Sequence, residues 1–360
     1  MQAIVLVGGE GTRLRPLTDR VPKPAITLVD RPFLAYMVEW LGSYGVSEVV
    51  FACGFLPDRL REALGEGEHQ GVRLTYVTEP ERRGTAGAIR FAADGIDERV
   101  LVCNGDVLTG LDVAALVHFH EERGAEATIA LTRVDDPSAF GVVPTRGDGE
   151  VVAFVEKPAP GKAPTNWINA GTYVLEPAVL ERIPPRLTVS VERETFPRML
   201  EEPRRLYALR SDAYWLDIGA PEQYLRAHLD LLSGAAAPVP STPATERAPG
   251  VWVQGDVTID PTAVLEAPVL LGEGVVVERG ARLHASTLGA GAQVGPGARV
   301  LRSVVHAGGR IAADAEVADS VIGAGAEVGE HARIGARSMI GAGVRIDAHA
   351  RLAAAKVRGD

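Results

Sequence analysis

The strongest constraint on this chain lies in its last third. Aliphatic residues recur at Leu271, Val277, Leu283, Leu288, Val294, Val300, Val305, Ile311, Val317, Ile322, Val328, Ile334, Ile340, Ile346 and Leu352, in eleven steps of six and three of five. A helix needs a period near 3.6 and a half-buried strand a period of 2, so neither element can place all of them on one face. A three-sided coil can, with one short strand per side turning one aliphatic side chain inward. Gly or Ala follows most of these positions, and small residues fill the turns between them. A low-complexity tail would have no reason to keep an aliphatic residue at every step. The pattern therefore predicts a parallel β-helix of hexapeptide repeats, about five coils deep, within residues 251–360.

The first 232 residues have a different rhythm. Gln2–Val7 is a continuous apolar run ending in glycines, and Pro32–Leu41 places Phe33, Leu34, Met37, Val38 and Leu41 on one helical face. Further strand-like and helix-like stretches alternate, which predicts an α/β fold: a mixed, mostly parallel sheet with helices on both faces. Ligands of such sheets sit beyond the carboxyl ends of the strands. The segment 233–250, SGAAAPVPSTPATERAPG, has no apolar period and reads as a Pro/Ala-rich linker. The expected division is thus 1–232, 233–250 and 251–360.

Composition narrows the function classes. No apolar run approaches the roughly 18 to 20 residues needed to span a bilayer, and the N-terminus lacks a basic region followed by an apolar stretch, so a soluble, cytoplasmic protein with no membrane partner is expected. Two cysteines, Cys53 and Cys103, cannot build a disulfide framework or a zinc box. A net charge of -10 disfavours nucleic acid, so an anionic ligand needs a local cluster of cations. An open-ended coil stack needs a cap or a partner, which points to a homo-oligomer.

The loop after the first strand supplies such a cluster. Gly8-Gly9-Glu10-Gly11-Thr12-Arg13 has the small residues that let backbone amides approach phosphate oxygens. Taken alone it could equally be a simple turn. It is neither a Walker loop nor a dinucleotide fingerprint, but Arg13, Arg15 and Lys23 follow within eleven residues of one another. Only four of the 37 basic residues are lysines, Lys23, Lys157, Lys162 and Lys356, so a lysine raises the question whether its site needs a compact ammonium. Asp106 and Asp217 each end an apolar run. Either alone could be a turn or cap residue, but two strand-end carboxylates beside a cationic loop suit a magnesium ion that shares its coordination with phosphates and water. Glu156-Lys157 with Asn169 could meet sugar hydroxyls and a phosphate, although spacing alone describes a surface ion pair just as well.

Together GGEGTRLRPLT, PKP, GTAG at Gly84–Gly87, NGD, FGVV, VEKP, NAGTYVL and WLDIG resemble the sugar-1-phosphate nucleotidylyltransferases, most closely the mannose-1-phosphate guanylyltransferase type. The motifs run in family order across nearly all of residues 1–232. The resemblance implies a Rossmann-like catalytic domain followed by a left-handed β-helix, and the reaction of an NTP with a sugar 1-phosphate to give an NDP-sugar and pyrophosphate. It implies that Gly8, Gly9, Gly11 and Thr12 line the nucleotide phosphates, that Arg13 stabilises the departing pyrophosphate, and that Lys23 neutralises the α-phosphate. It further implies magnesium at Asp106 and Asp217, the sugar phosphate at Lys157, sugar hydroxyls at Glu156, Asn169 and the Gly141 backbone, and the base at Glu79, Gly84 and Thr85.

A carboxylate such as Glu79 favours guanine, whereas Arg82-Arg83 stands where guanylyltransferases of this type usually show Pro-Leu. GTP with mannose 1-phosphate, or with a sugar-like cyclitol phosphate, is therefore weighed against dTTP, ATP, UTP or CTP with glucose 1-phosphate. A non-catalytic NDP-sugar-sensing subunit is the rival from another class; it predicts loss of a loop arginine, a lysine or an aspartate, and all are present. An acyltransferase role for the repeats needs a projecting histidine loop, whereas His284, His306, His331 and His349 fall within the regular steps and read as surface turn residues. The repeats then read as an assembly or regulatory element, and a fragment ending near Leu232 is expected to keep the chemistry.

Overall fold

The computed structural model describes residues 1–54, 56–201, 205–236 and 244–359. It divides into two compact units, Met1–Gly9 with Leu34–Trp215, and Glu10–Phe33 with Leu216–Asp360.

The first unit is built on one mixed sheet. Gln2–Val7 runs parallel between Glu48–Cys53 and Val100–Asn104, and Val72–Thr78 continues the parallel set beyond Glu48–Cys53. Burial on both faces is what a strand covered by helices on each side requires, and the apolar runs supply it. The register aligns Val7 with Cys53, Cys53 with Thr78, and Leu6 with Asn104. Gly8, Gly54, Glu79 and Gly105 therefore each stand one residue beyond a common carboxyl edge. On the far side, Trp167–Leu175 pairs antiparallel with Val100–Asn104, Ala127–Arg133 and Gly141–Val142, and Val155–Glu156 pairs with the last of these. The core beneath holds Ile4, Val102, Ile129, Tyr173 and Phe196, all buried.

In the second unit the hexads form the expected parallel β-helix. One column runs Leu271, Leu288, Val305, Ile322, Ile340; a second Val277, Val294, Ile311, Val328, Ile346; a third Leu283, Val300, Val317, Ile334, Leu352. Each fully buried member contributes roughly 1.5 to 3 kcal/mol by leaving water. The three steps of five all fall at one corner, where Ala285, Arg302 or Asp319 adopts a left-handed conformation; between Ile334 and Ile340 two residues, Ala336 and Arg337, do so and absorb the extra residue. The same corner buries Ser286, Ser303, Ser320 and Ser338. Each hydroxyl donates to a carbonyl of its own coil and accepts a backbone N–H from the next, at 3.1 to 3.2 Å. This serine ladder is a second periodicity, invisible to a count of aliphatic residues.

The segment 233–250 behaves differently from a plain linker. Residues 237–243 lie outside the described residues, but Thr245–Ala248 is a strand antiparallel to Val251–Val253. Its side chains are all exposed, so hydropathy carries no sign of it; the backbone pairing alone makes the strand.

His306 also departs from the surface-turn reading. Its ring stacks 6.2 Å from that of Tyr224, whose hydroxyl lies 3.2 Å from His306 Nε2 and donates to the Thr27 carbonyl. His228 is buried, with Nδ1 accepting the Val29 N–H at 3.2 Å and facing Thr287 Oγ1 at 3.3 Å. Burial pushes His306 down to about 4 and His228 well below the usual imidazole range. Both are neutral in the fold at pH 7, whereas the unfolded chain takes up their protons near pH 6.5. Stability contributed here is full above pH 6.5 and is lost as the pH falls toward 4, because the unfolded state then binds more protons. The midpoint of thermal unfolding should decline across that window, and less steeply in His306→Gln; identical pH profiles would show that this ring does not report on the fold.

Candidate active site

The first unit carries Gly8, Gly9, Glu79, Gly84, Thr85, Asp106, Gly141, Glu156, Lys157 and Asn169; the second carries Gly11, Thr12, Arg13, Lys23 and Asp217.

Glu79 stands at the carboxyl edge of the first unit's sheet. Its Oε1 is buried with no hydrogen-bond partner among the described residues. Burial raises its carboxyl above the usual range, opposed by a hydrogen bond from the Arg83 backbone and by the Arg83 charge. A shielded acceptor that has lost water gains from any donor brought to it. The Arg83 guanidinium lies 4.9 Å over the Phe91 ring, so this member of the arginine pair serves Glu79 through its backbone and packs its side chain on the helix. Gly84 opens the helix Gly84–Ala92 at φ 70°, and a Cβ there would fall 2.5 Å from the Val189 carbonyl oxygen, so no other residue fits without moving that backbone. Thr85 is fully engaged: its hydroxyl donates to Glu192 at 2.8 Å and accepts the Val191 N–H at 2.8 Å. Its side chain therefore braces the segment after Val189. Gly105 donates its N–H to Leu6 at 2.9 Å, which seats Asp106 directly past the strand ends.

The same unit gathers the predicted sugar-phosphate residues. Gly141 and Glu156 are cross-strand partners. Lys157 follows in the left-handed region at φ 48°, which a lysine adopts only under constraint, and its N–H donates to the Phe140 carbonyl at 3.0 Å. Asn169 is largely spoken for, donating to the Tyr173 hydroxyl at 2.7 Å and accepting the Gly171 N–H at 2.9 Å across the register shift in its strand. Two further residues belong here. Arg193 reaches within 3.7 Å of Glu156, and Trp215 donates from Nε1 to the Ala170 carbonyl at 2.9 Å while meeting Phe140 edge-on. Arg193 has no neighbour in sequence that signals this placement, whereas Trp215 opens the WLDIG motif.

In the second unit the loop and the WLDIG segment converge. Lys23 is buried, with Nζ 3.7 Å from Asp217 Oδ1. Gly11 turns at φ 62°, its Cα backed against Lys23 and Thr18; the Thr18 hydroxyl donates to the Gly11 carbonyl at 2.8 Å. Thr12–Leu14 forms a single 3-10 turn that carries Arg13. A Cβ on Gly219 would collide with Arg13 Nη2, and would lie 3.0 Å from its guanidinium carbon and 3.1 Å from Asp217 Oδ2. The bare face of Gly219 is thus the space in which the arginine and the carboxylate meet. Arg15, by contrast, is tied to Glu10 at 3.3 Å and Asp19 at 3.4 Å, which removes it from the loop's available cations.

Each unit offers cations, backbone amides and hard oxygen donors, the equipment for moving a phosphoryl centre between anions. Among the described residues no three His, Cys, Asp or Glu side chains cluster to hold a metal by themselves, and no helix is long and apolar enough to cross a membrane.

Residues 2–234 match the family described as Nucleotidyl transferase, and residues 285–358 match the GMPPB C-terminal domain. The mannose-1-phosphate guanylyltransferase of Mycobacterium tuberculosis is 38% identical over 290 residues, covering 80% of this chain and 79% of that protein. A probable mannose-1-phosphate guanylyltransferase 1 of Oryza sativa subsp. japonica is 40% identical over 303 residues, covering 80% and 81%. Among solved structures, HddC from Yersinia pseudotuberculosis complexed with GMP-PN superposes with a TM-score of 0.55 at 29% identity, over 63% of this chain and 97% of that one.

Proposed function

The chain belongs to the nucleotidyl transferase family, and on that footing we propose that it joins GTP and mannose 1-phosphate to give GDP-mannose and pyrophosphate. The names of its relatives support this pair of substrates. The observation that carries the base is the buried, unpartnered Oε1 of Glu79, an acceptor suited to the adjacent N1–H and amino donors of guanine, whereas adenine sets an acceptor N1 beside its amino group.

The attacking sugar phosphate is already an anion, so no general base is needed. Its oxygen bonds to the α-phosphorus in line with the leaving group, the bond from the α-phosphorus to the bridging oxygen breaks, and pyrophosphate departs with that electron pair. The protein's task is to bring two like-charged reactants together. Backbone at Gly8, Gly9, Gly11 and Thr12 would line the triphosphate. Lys23, held beside Asp217, would neutralise the α-phosphate, and Arg13 would meet the charge that gathers on pyrophosphate. Lys157, presented by its constrained backbone, would grip the sugar phosphate, with Glu156, Asn169 and Gly141 toward the hydroxyls.

Asp106 and Asp217 are the carboxylates we assign to magnesium. The chemistry of the donor set supports the fit, since a hard cation takes carboxylate oxygen and keeps its other positions for phosphate and water. When bound, the ion would neutralise phosphate charge as a Lewis acid.

The test is a matrix of GTP, ATP, UTP, CTP and dTTP against mannose 1-phosphate and glucose 1-phosphate, scored by pyrophosphate release. GTP with mannose 1-phosphate should dominate; another dominant pair replaces the assignment. In addition, Glu79→Gln should lower kcat/KM for GTP by about 10²-fold with little change for ATP, because it sets an amide N–H against donors of the base. Equal losses for both nucleotides would remove Glu79 from base recognition.

A further inference from the structure

Of the four lysines, the reaction as described uses Lys23 and Lys157. A third, Lys356, lies in the last short strand of the β-helix, Lys356–Val357, and its Nζ donates a 2.8 Å hydrogen bond to the backbone carbonyl oxygen of Arg13, 343 residues earlier. That carbonyl sits in the single turn Thr12–Leu14, where the neighbouring carbonyls already have backbone donors: Leu14 N–H on Gly11, Arg15 N–H on Thr12 and Leu17 N–H on Leu14. Lys356 completes the series from outside the turn.

Two more contacts bring the same end of the coil stack to the same loop. Arg358 Nε lies 3.4 Å from Asp19 Oδ2, and the bare face of Gly341 backs onto Pro16, where a Cβ would lie 3.4 Å from the proline Cβ. The loop is thus held at Arg13, Pro16 and Asp19 by residues of the last coils. The Arg13 guanidinium and Asp217 Oδ2 both lie beside the Gly219 Cα.

We propose that Lys356 is a positioning residue for Arg13, so that the terminal coil of the β-helix completes the loop that receives the departing pyrophosphate. A charged donor on a peptide carbonyl is stronger than a neutral one, and fixing the peptide on one side of the Arg13 Cα limits where its guanidinium can point. Positioning of this kind acts on the step in which charge moves onto the leaving group, since a misplaced group is felt most where its geometry must be right. The inference rests on the reading of Arg13 as the pyrophosphate ligand.

The test uses the full-length chain with Lys356→Met, Lys356→Arg, Arg13→Ala and the double variant Lys356→Met/Arg13→Ala. Lys356→Met should lower kcat by about 10- to 100-fold and raise KM for pyrophosphate in the reverse reaction, with KM for the sugar phosphate and the unfolding midpoint unchanged. Lys356→Arg, which keeps a charged donor, should recover most of kcat. The double variant should be no slower than Arg13→Ala alone, because Lys356 acts through Arg13. Wild-type kcat in Lys356→Met beside an impaired Arg13→Ala, or losses that multiply in the double variant, overturns the positioning role. A fully active Arg13→Ala overturns instead the assignment of Arg13 to pyrophosphate.

Discussion

Asp217→Asn is expected to lower magnesium-dependent pyrophosphate release by about 10³-fold, the scale of losing one well-placed charge from a site that stabilises charge. The substitution keeps the shape of the side chain and removes its charge. It acts in two ways that pull on different measurements. The carboxylate assigned to magnesium is lost, which raises the barrier, and Lys23, only 7% exposed, is left facing a neutral amide 3.7 Å away. The second effect costs about 1 to 3 kcal/mol of stability, against about 4 kcal/mol of barrier for the first. Initial rates as a function of magnesium concentration, read beside the unfolding midpoint, separate the two. Near wild-type rates at ordinary magnesium would remove the aspartate from the metal assignment.

Gly219→Ala should produce the second large loss, about 10²-fold in kcat, from one added methyl group. Gly219 is not in the left-handed region, so alanine brings no backbone strain. What its Cβ meets is the end of Arg13 and, at 3.1 Å, Asp217 Oδ2. Both are ends of side chains that can swing away, so the fold should tolerate the change and the unfolding midpoint should hold. The displaced guanidinium and carboxylate are the groups assigned to pyrophosphate and magnesium, so the cost should appear in catalysis. Unchanged kinetics would mean that these two side chains need not meet where they do.

The fold was legible where a period was present. Fifteen aliphatic residues at steps of six and five place themselves in three inward columns because only that winding turns them all toward one core. Strand ends were legible too, since the apolar runs before Gly8 and Gly105 stop where the backbone leaves the sheet. Individual side chains were less so. Thr85 and Asn169 lie in the motifs, yet their polar groups are taken up by Glu192, Val191, Tyr173 and Gly171. Gly219 carries no side chain to attract notice, and Lys356 sits where the repeat suggests only surface. For that last reason a fragment ending near Leu232, which the motif order alone would leave active, should be slowed by the loss of the hydrogen bond to Arg13.

What the chain determined by itself was periodicity and local chemistry: three-sided coils, alternating strands and helices, and the kinds of group suited to phosphate. These follow from hydrophobic burial and from charge, which act on residues near one another along the chain or at regular intervals. Only the tertiary structure decided that residues 10–33 pack with the coil stack, that Arg13 and Asp217 share the bare face of Gly219, and that Lys356 reaches the Arg13 carbonyl. Such meetings join residues hundreds of positions apart through single hydrogen bonds and close approaches, and a lone contact of that kind leaves no repeating mark in the order of amino acids.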